Sequence, residues 1–333
     1  MKVEHANKIY VYFAVFHDRE LFETLYNLID TADNPKDIIF GIYFLYEQDH
    51  VKDVFDQYIK NFDNEFRVRY EKITPENITD VIGLAKGRIK AYSMCQGEEY
   101  RLLIDGHMQF TESWDTKLKR KLEIAYERNI TKPIICGYAG SYGLDENGRR
   151  CDHPNENIRN IRYQYFIDQE TQNEYTAVSK FDWHDRLQPH IASAPNPEGD
   201  EIIPAVRFSG NFSFCKYNIV EHLPEWVIFE DEEMPWSINL HAAGFTFVFP
   251  LFDEPVVMHL YMGAKEPYDI QQTRDQIEWY YPDYDQLQKM KYDNICNYLD
   301  DPDNYDKIRK YEDFARINLI KGKLQEYYVP ENF

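Results

Sequence analysis

Over the first 140 residues, apolar runs alternate with amphipathic stretches. Ile9-Tyr10-Val11-Tyr12-Phe13-Ala14-Val15-Phe16 is apolar on both alternating faces, the pattern of a central parallel strand covered on each side. The polar turn His17-Asp18-Arg19-Glu20 follows, with Asp18 expected to cap a helix on which Leu21, Leu25 and Leu28 recur, and Asp33-Asn34-Pro35 ends it. Residues 38–45 repeat the buried-strand pattern, and Val51, Val54, Phe55 and Tyr58 mark a second amphipathic helix. Phe66-Arg67-Val68-Arg69-Tyr70 alternates and is expected nearer a sheet edge. A helix over 79–95, a short buried strand at Leu102-Leu103-Ile104, a helix near 115–127 and a strand at Ile134–Tyr138 complete the alternation. Strand and helix in turn predict a doubly wound α/β domain.

From about 139 to 205 the pattern dissolves into Asn, Asp, Gly, Pro and His with interleaved aromatics, which reads as a long functional loop. Regular signal resumes at Phe208–Phe214. A helix through Trp236, Leu240 and Ala243 is expected to close at Gly244, with Pro235 interrupting its acidic start, and strands follow at Phe245–Phe249 and Val256–Tyr261. The remainder carries helical spacing near 284–299 and 305–327 and is expected to pack as a helical tail.

Composition narrows the possible partners. Fifty-eight acids against 37 Lys and Arg leave a net charge of −21, which repels phosphate backbones on average but not an anionic nucleotide held by a metal and a few basic side chains. Five widely spaced cysteines without a Cys-x-x-Cys argue against a disulfide framework or a thiolate zinc site and suggest a reducing compartment. Ile9–Phe16 is too short to span a bilayer and no small-residue cleavage site follows it, so a cytoplasmic protein without a membrane partner is expected.

The chemistry concentrates at one strand end. Asp105 and His107 follow the buried run 102–104, at the carboxyl edge where open α/β sheets bind ligands. Two residues apart in an extended segment, they point to one side and can share a divalent cation, Mg²⁺ or Mn²⁺, although a solvated acid beside a chance histidine has the same spacing. His259, ending a later apolar run, is either a hydrogen-bonded rim residue or a third ligand. Glu230-Asp231-Glu232-Glu233 suits a helix N-terminus through the macrodipole, which accounts for one or two of the four acids. Arg88 is either a surface charge or a diphosphate contact. There is no Gly-x-Gly-x-x-Gly, Walker loop or nucleophile elbow.

The order of these features resembles the GT-A glycosyltransferases, in particular the cytoplasmic hydroxyproline-directed N-acetylglucosaminyltransferases, and at a distance the polypeptide N-acetylgalactosaminyltransferases. The family's Ala-Ser-Tyr-Arg-Asp-Pro-Glu-Leu is matched by Ala14-Val15-Phe16-His17-Asp18-Arg19-Glu20-Leu21. Its Gly-Glu-Glu-Tyr-Tyr-Leu-Gln-Ile-Asp-Ser-His-Met-Arg-Phe is matched by residues 97–110, and Trp114-Asp115 is also in place. Gly210-Asn211-Phe212-Ser213-Phe214, Glu232-Glu233, Gly244-Phe245 and His259-Leu260-Tyr261 follow in the family's order, and Tyr311-Glu312-Asp313-Phe314 matches weakly. His17 and Asp231 depart from the family's Arg and Gly.

The resemblance implies a GT-A catalytic domain over 1–262, a Rossmann-like mixed sheet with flanking helices, followed by a helical extension over 263–333. It implies transfer of a sugar, first N-acetylglucosamine, from a UDP-sugar to a protein or other hydroxyl with retention of configuration. Asp105, His107 and His259 would bind Mn²⁺ or Mg²⁺; Asp18, Arg88 and Asp105 would bind the donor; Glu232 and Glu233 would orient donor sugar or acceptor. The region 139–205 is expected on the acceptor side, through Trp183 and Arg186. A viral-type DNA glucosyltransferase acting on a hydroxymethylated pyrimidine is an alternative that the net charge disfavours, and a non-catalytic nucleotide-sugar-binding module is another.

Overall fold

The apolar runs become the middle of a sheet. A computed structural model describes residues 5–16, 18, 20–45, 49–63, 66–73, 83–144, 150–151, 161–167, 174–177, 191–193, 201–205, 207–227, 232–260, 284–315 and 327–328. The amino-terminal half runs β1 (Ile9–Phe16), α1 (Leu21–Asp30), β2 (Ile38–Leu45), α2 (Asp49–Asp63), β3 (Arg67–Ile73), α3 (Leu84–Ser93), β4 (Tyr100–Ile104), β5 (Met108–Phe110), α4 (Trp114–Glu127) and β6 (Pro133–Cys136). Six short strands follow, β7 (Gly140–Leu144), β8 (Arg150–Cys151), β9 (Ile161–Ile167), β10 (Glu174–Ala177), β11 (Ile191–Ser193) and β12 (Ile202–Pro204). The chain continues through β13 (Phe212–Cys215), α5 (Glu233–Ala242), β14 (Thr246–Pro250), β15 (Val257–Leu260), α6 (Tyr284–Asp300), α7 (Tyr305–Ala315) and β16 (Tyr327–Tyr328).

Among the described residues, eight strands form the main sheet in the order β12-β14-β6-β13-β4-β1-β2-β3. β1 pairs in parallel with β2 and β4, whereas β13 runs antiparallel between β4 and β6, so the sheet is mixed. Val11, Tyr12 and Phe13 in its centre are fully buried, each apolar side chain contributing roughly 1.5–3 kcal/mol. The alternating β3 occupies the edge, as its pattern predicts. The reversal of β13 decides the site: with Phe212 opposite Ile104, the turn before β13 stands beside the end of β4.

A second sheet, β5-β15-β7-β8, carries the other half of the site. β15 pairs antiparallel with β5, His259 opposite Met108, and parallel with β7, His259 opposite Ser141. The third sheet is β11-β9-β10-β16.

Several sequence expectations change. Among the described residues the region 139–205 carries six strands; they are two to seven residues long, so each offers too short a run for its periodicity to register. The helix expected from 79 starts at Leu84, because Gly83 at φ 107° lies outside the right-handed helical region. Pro235 does not interrupt α5: it sits in the first turn, where its absent N–H would have no helical partner, and Trp236 N–H makes the bond to the Glu232 carbonyl at 3.0 Å. Asp18 does not cap α1, whose N-cap is Glu20; instead its Oδ1 accepts the Glu20 N–H at 3.0 Å. Within the tail, Tyr305–Ala315 is helical as expected and Tyr327–Tyr328 instead pairs as a strand with β10, while the residues between them lie outside those described. Its helices pack on α5 through buried Ile308 and Tyr311, a Phe314 ring stacked on His241 at 4.3 Å, and a Tyr298 hydroxyl donating to Asn239 Oδ1 at 2.8 Å.

Candidate metal and donor site

The carboxyl edge of the sheet gathers seven of the expected residues. β4 delivers Asp105 and, two residues on, His107, while the chain leaving β1 delivers Asp18. His259 comes from β15, Arg88 from α3, and Glu232 and Glu233 from the start of α5. The side chains expected on the acceptor side, Trp183 and Arg186, lie outside the described residues.

Asp105, His107 and His259 present ligand atoms that all lie within 4.8 Å of one another. His259 Nε2 is 3.2 Å from Asp105 Oδ2, and the two imidazole rings meet edge to face at 4.5 Å. One carboxylate and two imidazoles fit a first-row divalent cation. Asp18 Oδ2 lies 2.7 Å from His107 Nδ1, an arrangement that turns Nε2 toward a ligand. Gly106 makes that bond possible, because a Cβ there would lie 2.5 Å from Asp18 Oδ2.

Charges set the protonation states. Burial alone would raise the Asp105 carboxyl, but the hydrogen bond with His259 and the Arg88 guanidinium hold it well below the carboxylate range. Burial lowers His107, yet the facing Asp18 carboxylate more than offsets it and the net shift is upward. His259 is pushed down by burial and by the neighbouring His107.

Arg88 is buried and already engaged. One of its terminal nitrogens donates to Glu232 Oε1 at 2.8 Å, and the other to the Gly210 carbonyl at 2.9 Å and to Asp105 Oδ1 at 3.3 Å. Adjacent Glu232 and Glu233 have different surroundings. Glu233 accepts the Gly210 N–H at 2.9 Å, the Arg207 guanidinium at 2.6 Å and the Tyr138 hydroxyl at 2.8 Å. Its carboxyl is nonetheless raised, burial outweighing Arg207. Glu232 Oε2 is buried and has no hydrogen-bond partner among the described residues, a costly state for a carboxylate oxygen unless something binds it. Gly210 permits this close packing: a Cβ there would lie 2.8 Å from Glu232 Oε1 and 2.9 Å from an Arg88 nitrogen.

Sequence reasoning passed over Arg207, Tyr138 and Thr24. Arg207, an Arg between Val206 and Phe208, is the one with a readable signal, since a lone cation in an apolar run needs a buried acid.

The sequence matches the family described as "Glycosyltransferase (GlcNAc)" over residues 59–292, well over half of the chain. The chain belongs to this glycosyltransferase family. No curated protein sequence matches it significantly. Among solved structures, GalNAc-T7 with UDP, GalNAc and Mn²⁺ superposes with a TM-score of 0.50 at 13% identity, covering 94% of this chain and 55% of that one. The chain thus spans about half the length of that relative. Residues 1–349 of S. aureus TarS in complex with UDP align at a TM-score of 0.41 and 12% identity, covering 92% of this chain and 70% of that one. The fold of this glycosyltransferase is the GT-A fold, with a mostly parallel central sheet and flanking helices. No helix among its described residues is long and apolar enough to cross a membrane.

Proposed function

We propose that this glycosyltransferase transfers N-acetylglucosamine from a UDP-sugar to an acceptor hydroxyl, with a divalent cation bound by Asp105, His107 and His259 and with retention of configuration. The observation that carries the reading is the convergence of that triad at the sheet edge beside the Arg88–Glu232 pair. The family description names the sugar, and the UDP in GalNAc-T7 supports the nucleotide.

When bound, the cation neutralises the charge that develops on the departing diphosphate. The chain supplies the rest. Asp18 orients His107, while Arg88 holds Asp105 Oδ1 and adds positive charge at the diphosphate end. Glu232 offers Oε2 to a donor-sugar hydroxyl, a charge-assisted bond that fixes the ring for attack. Glu233 has its oxygens committed to Gly210, Arg207 and Tyr138, and holds the turn before β13 in place. Residues 1–262 form the catalytic unit and 263–333 an extension on it; the acceptor is a protein or other hydroxyl, met through the segment containing Trp183 and Arg186.

The test is UDP release over a panel of UDP-sugars with Mn²⁺, with Mg²⁺ and with chelator. UDP-N-acetylglucosamine should give the highest rate, chelator should abolish it, and Asp105→Asn should lower it by at least about 10²-fold, the scale expected for losing an electrostatic stabiliser of the transition state. Metal-independent release, or an Asp105→Asn variant at the wild-type rate, contradicts the proposal. Binding of UDP-sugar without turnover on any acceptor identifies a binding module instead.

A further inference from the structure

The hairpin of β7 and β8 reaches back to the loop between β4 and β5. Arg150 on β8 lies mostly buried against the start of α1: its Nε donates to Glu20 Oε2 at 2.9 Å, and its guanidinium carbon stands 5.1 Å from the centre of the Tyr142 ring. Tyr142 donates its hydroxyl to the same Glu20 oxygen at 3.3 Å. The terminal nitrogens of Arg150 point past Glu20. One donates to the Met108 carbonyl at 3.0 Å, the other to Thr24 Oγ1 at 3.1 Å and to the Glu20 carbonyl at 3.5 Å.

Thr24 is fully buried. Its hydroxyl has one proton and two lone pairs. The Met108 N–H donates into it at 3.0 Å and the Arg150 guanidinium at 3.1 Å, which uses both lone pairs. The proton therefore has to be given away, and two carbonyls are in reach, Gly106 at 2.8 Å and Met108 at 3.1 Å. Because Arg150 already donates to the Met108 carbonyl, the shorter bond to Gly106 is the better outlet. Arg150 thus does two things at once: it satisfies Met108, and it fixes the direction of the Thr24 hydroxyl onto the peptide between Asp105 and His107. The backbone carrying two of the three triad residues is held from behind by a side chain more than forty positions away.

We propose that Arg150 is a positioning residue for the metal centre, setting divalent-cation affinity through Thr24 and the Gly106–Met108 backbone without touching the ion. This rests on the triad being a metal site, as proposed above. It also assigns the β7–β8 hairpin to that site and leaves acceptor choice to the later part of the region 139–205.

The test uses the full chain. Mn²⁺ is titrated into the protein with and without UDP and followed by the paramagnetic resonance of the free ion, after subtraction of a UDP–Mn²⁺ blank; melting temperature is recorded for each variant. Arg150→Lys keeps the charge beside Glu20 but cannot supply the forked contacts, and should weaken Mn²⁺ binding on the order of 10- to 100-fold, the usual cost of losing an outer support of a metal site. Thr24→Val should do the same, and Thr24→Ser should restore binding to near the wild-type value. A lower melting temperature with an unchanged Mn²⁺ Kd is what a purely structural role gives, and overturns the proposal while leaving the triad intact. Absence of Mn²⁺ binding by the wild-type chain removes the metal reading itself, and this proposal with it.

Discussion

Two Glu-Glu pairs stand at opposite edges of the same sheet. Glu98-Glu99 precedes β4 at its amino edge; Glu232-Glu233 opens α5 at its carboxyl edge. Both are substantially buried, and both face cations. At the amino edge every oxygen has a partner: Glu98 takes Arg69 at 2.6 Å, the Gln96 N–H at 2.8 Å and the Cys95 thiol at 3.2 Å, and Glu99 takes Lys216 at 2.5 Å and the Asn7 N–H at 2.9 Å. These bonds tie the start of β4 to β3, to the amino terminus and to the end of β13. At the carboxyl edge Glu233 is as fully engaged, but Glu232 keeps one buried oxygen without a partner among the described residues. Identical dipeptides thus have different tasks. Saturated acids fasten the sheet, and a buried acid left half satisfied sits where a substrate hydroxyl could complete it.

The largest expected effect tests the fastening pair. Burial would raise the Glu98 carboxyl, but the bond from Arg69 and the local N–H groups bring it from 4.5 to about 2. That depression corresponds to roughly 3 kcal/mol of stability at neutral pH. Because the folded value is the lower one, the contribution is fully present above about pH 4.5 and is lost as pH falls toward 2. Glu98→Gln should therefore lower stability at pH 7 by about that amount, flatten the acid side of the stability curve in this window, and leave turnover per folded molecule within about two-fold. Denaturant titrations at pH 7 and at several values below 4.5 measure it. An equal loss of activity per folded molecule would break the comparison.

A smaller, complementary effect is expected at the other edge. Glu232→Gln should lower kcat/KM for sugar transfer roughly 10- to 100-fold, the worth of about 1.5–3 kcal/mol for a hydrogen bond to a charged group, because the amide accepts more weakly there. Glu233→Gln should instead act mainly on melting temperature, since it weakens the hold on Arg207, Tyr138 and Gly210. If the two variants exchange these signatures, the assignment of roles within the pair is reversed.

The smallest effect belongs to acceptor choice. Replacing Trp183 and Arg186 with Ala should lower transfer to the true acceptor several-fold while leaving UDP affinity within about two-fold, as expected of a segment that selects one substrate. Calorimetric UDP titration and transfer rates at saturating donor measure the two quantities. Equal losses in both would place these side chains in the nucleotide site.

The sheet and two of the three triad residues are legible in the sequence because their signals are local. β1, β2 and the 102–104 stretch of β4 are continuous apolar runs, and such runs have few alternatives to a doubly covered strand. Asp105 and His107 lie two residues apart on one strand end, so their meeting needs no tertiary information. The six strands described between 139 and 205 were not legible, because each is two to seven residues long, too short to show a period, and β7 and β12 also take partners far away in the chain. Spacing leaves His259 open and the family resemblance alone adds it to the triad; what brings it there physically is the pairing of β15 with β5, and the reversal of β13 likewise sets the Gly210 turn on the Arg88 that also meets Asp105. The tertiary structure alone separates Glu232 from Glu233, which no sequence pattern can do, since their difference lies in Arg88, Arg207, Tyr138 and Gly210 converging on them from elsewhere. The physical reason is range. Periodicity and strand burial are set by neighbours within a few residues, whereas coordination, hydrogen-bond saturation and the cost of a buried charge depend on which distant side chains the fold brings within about 3 Å.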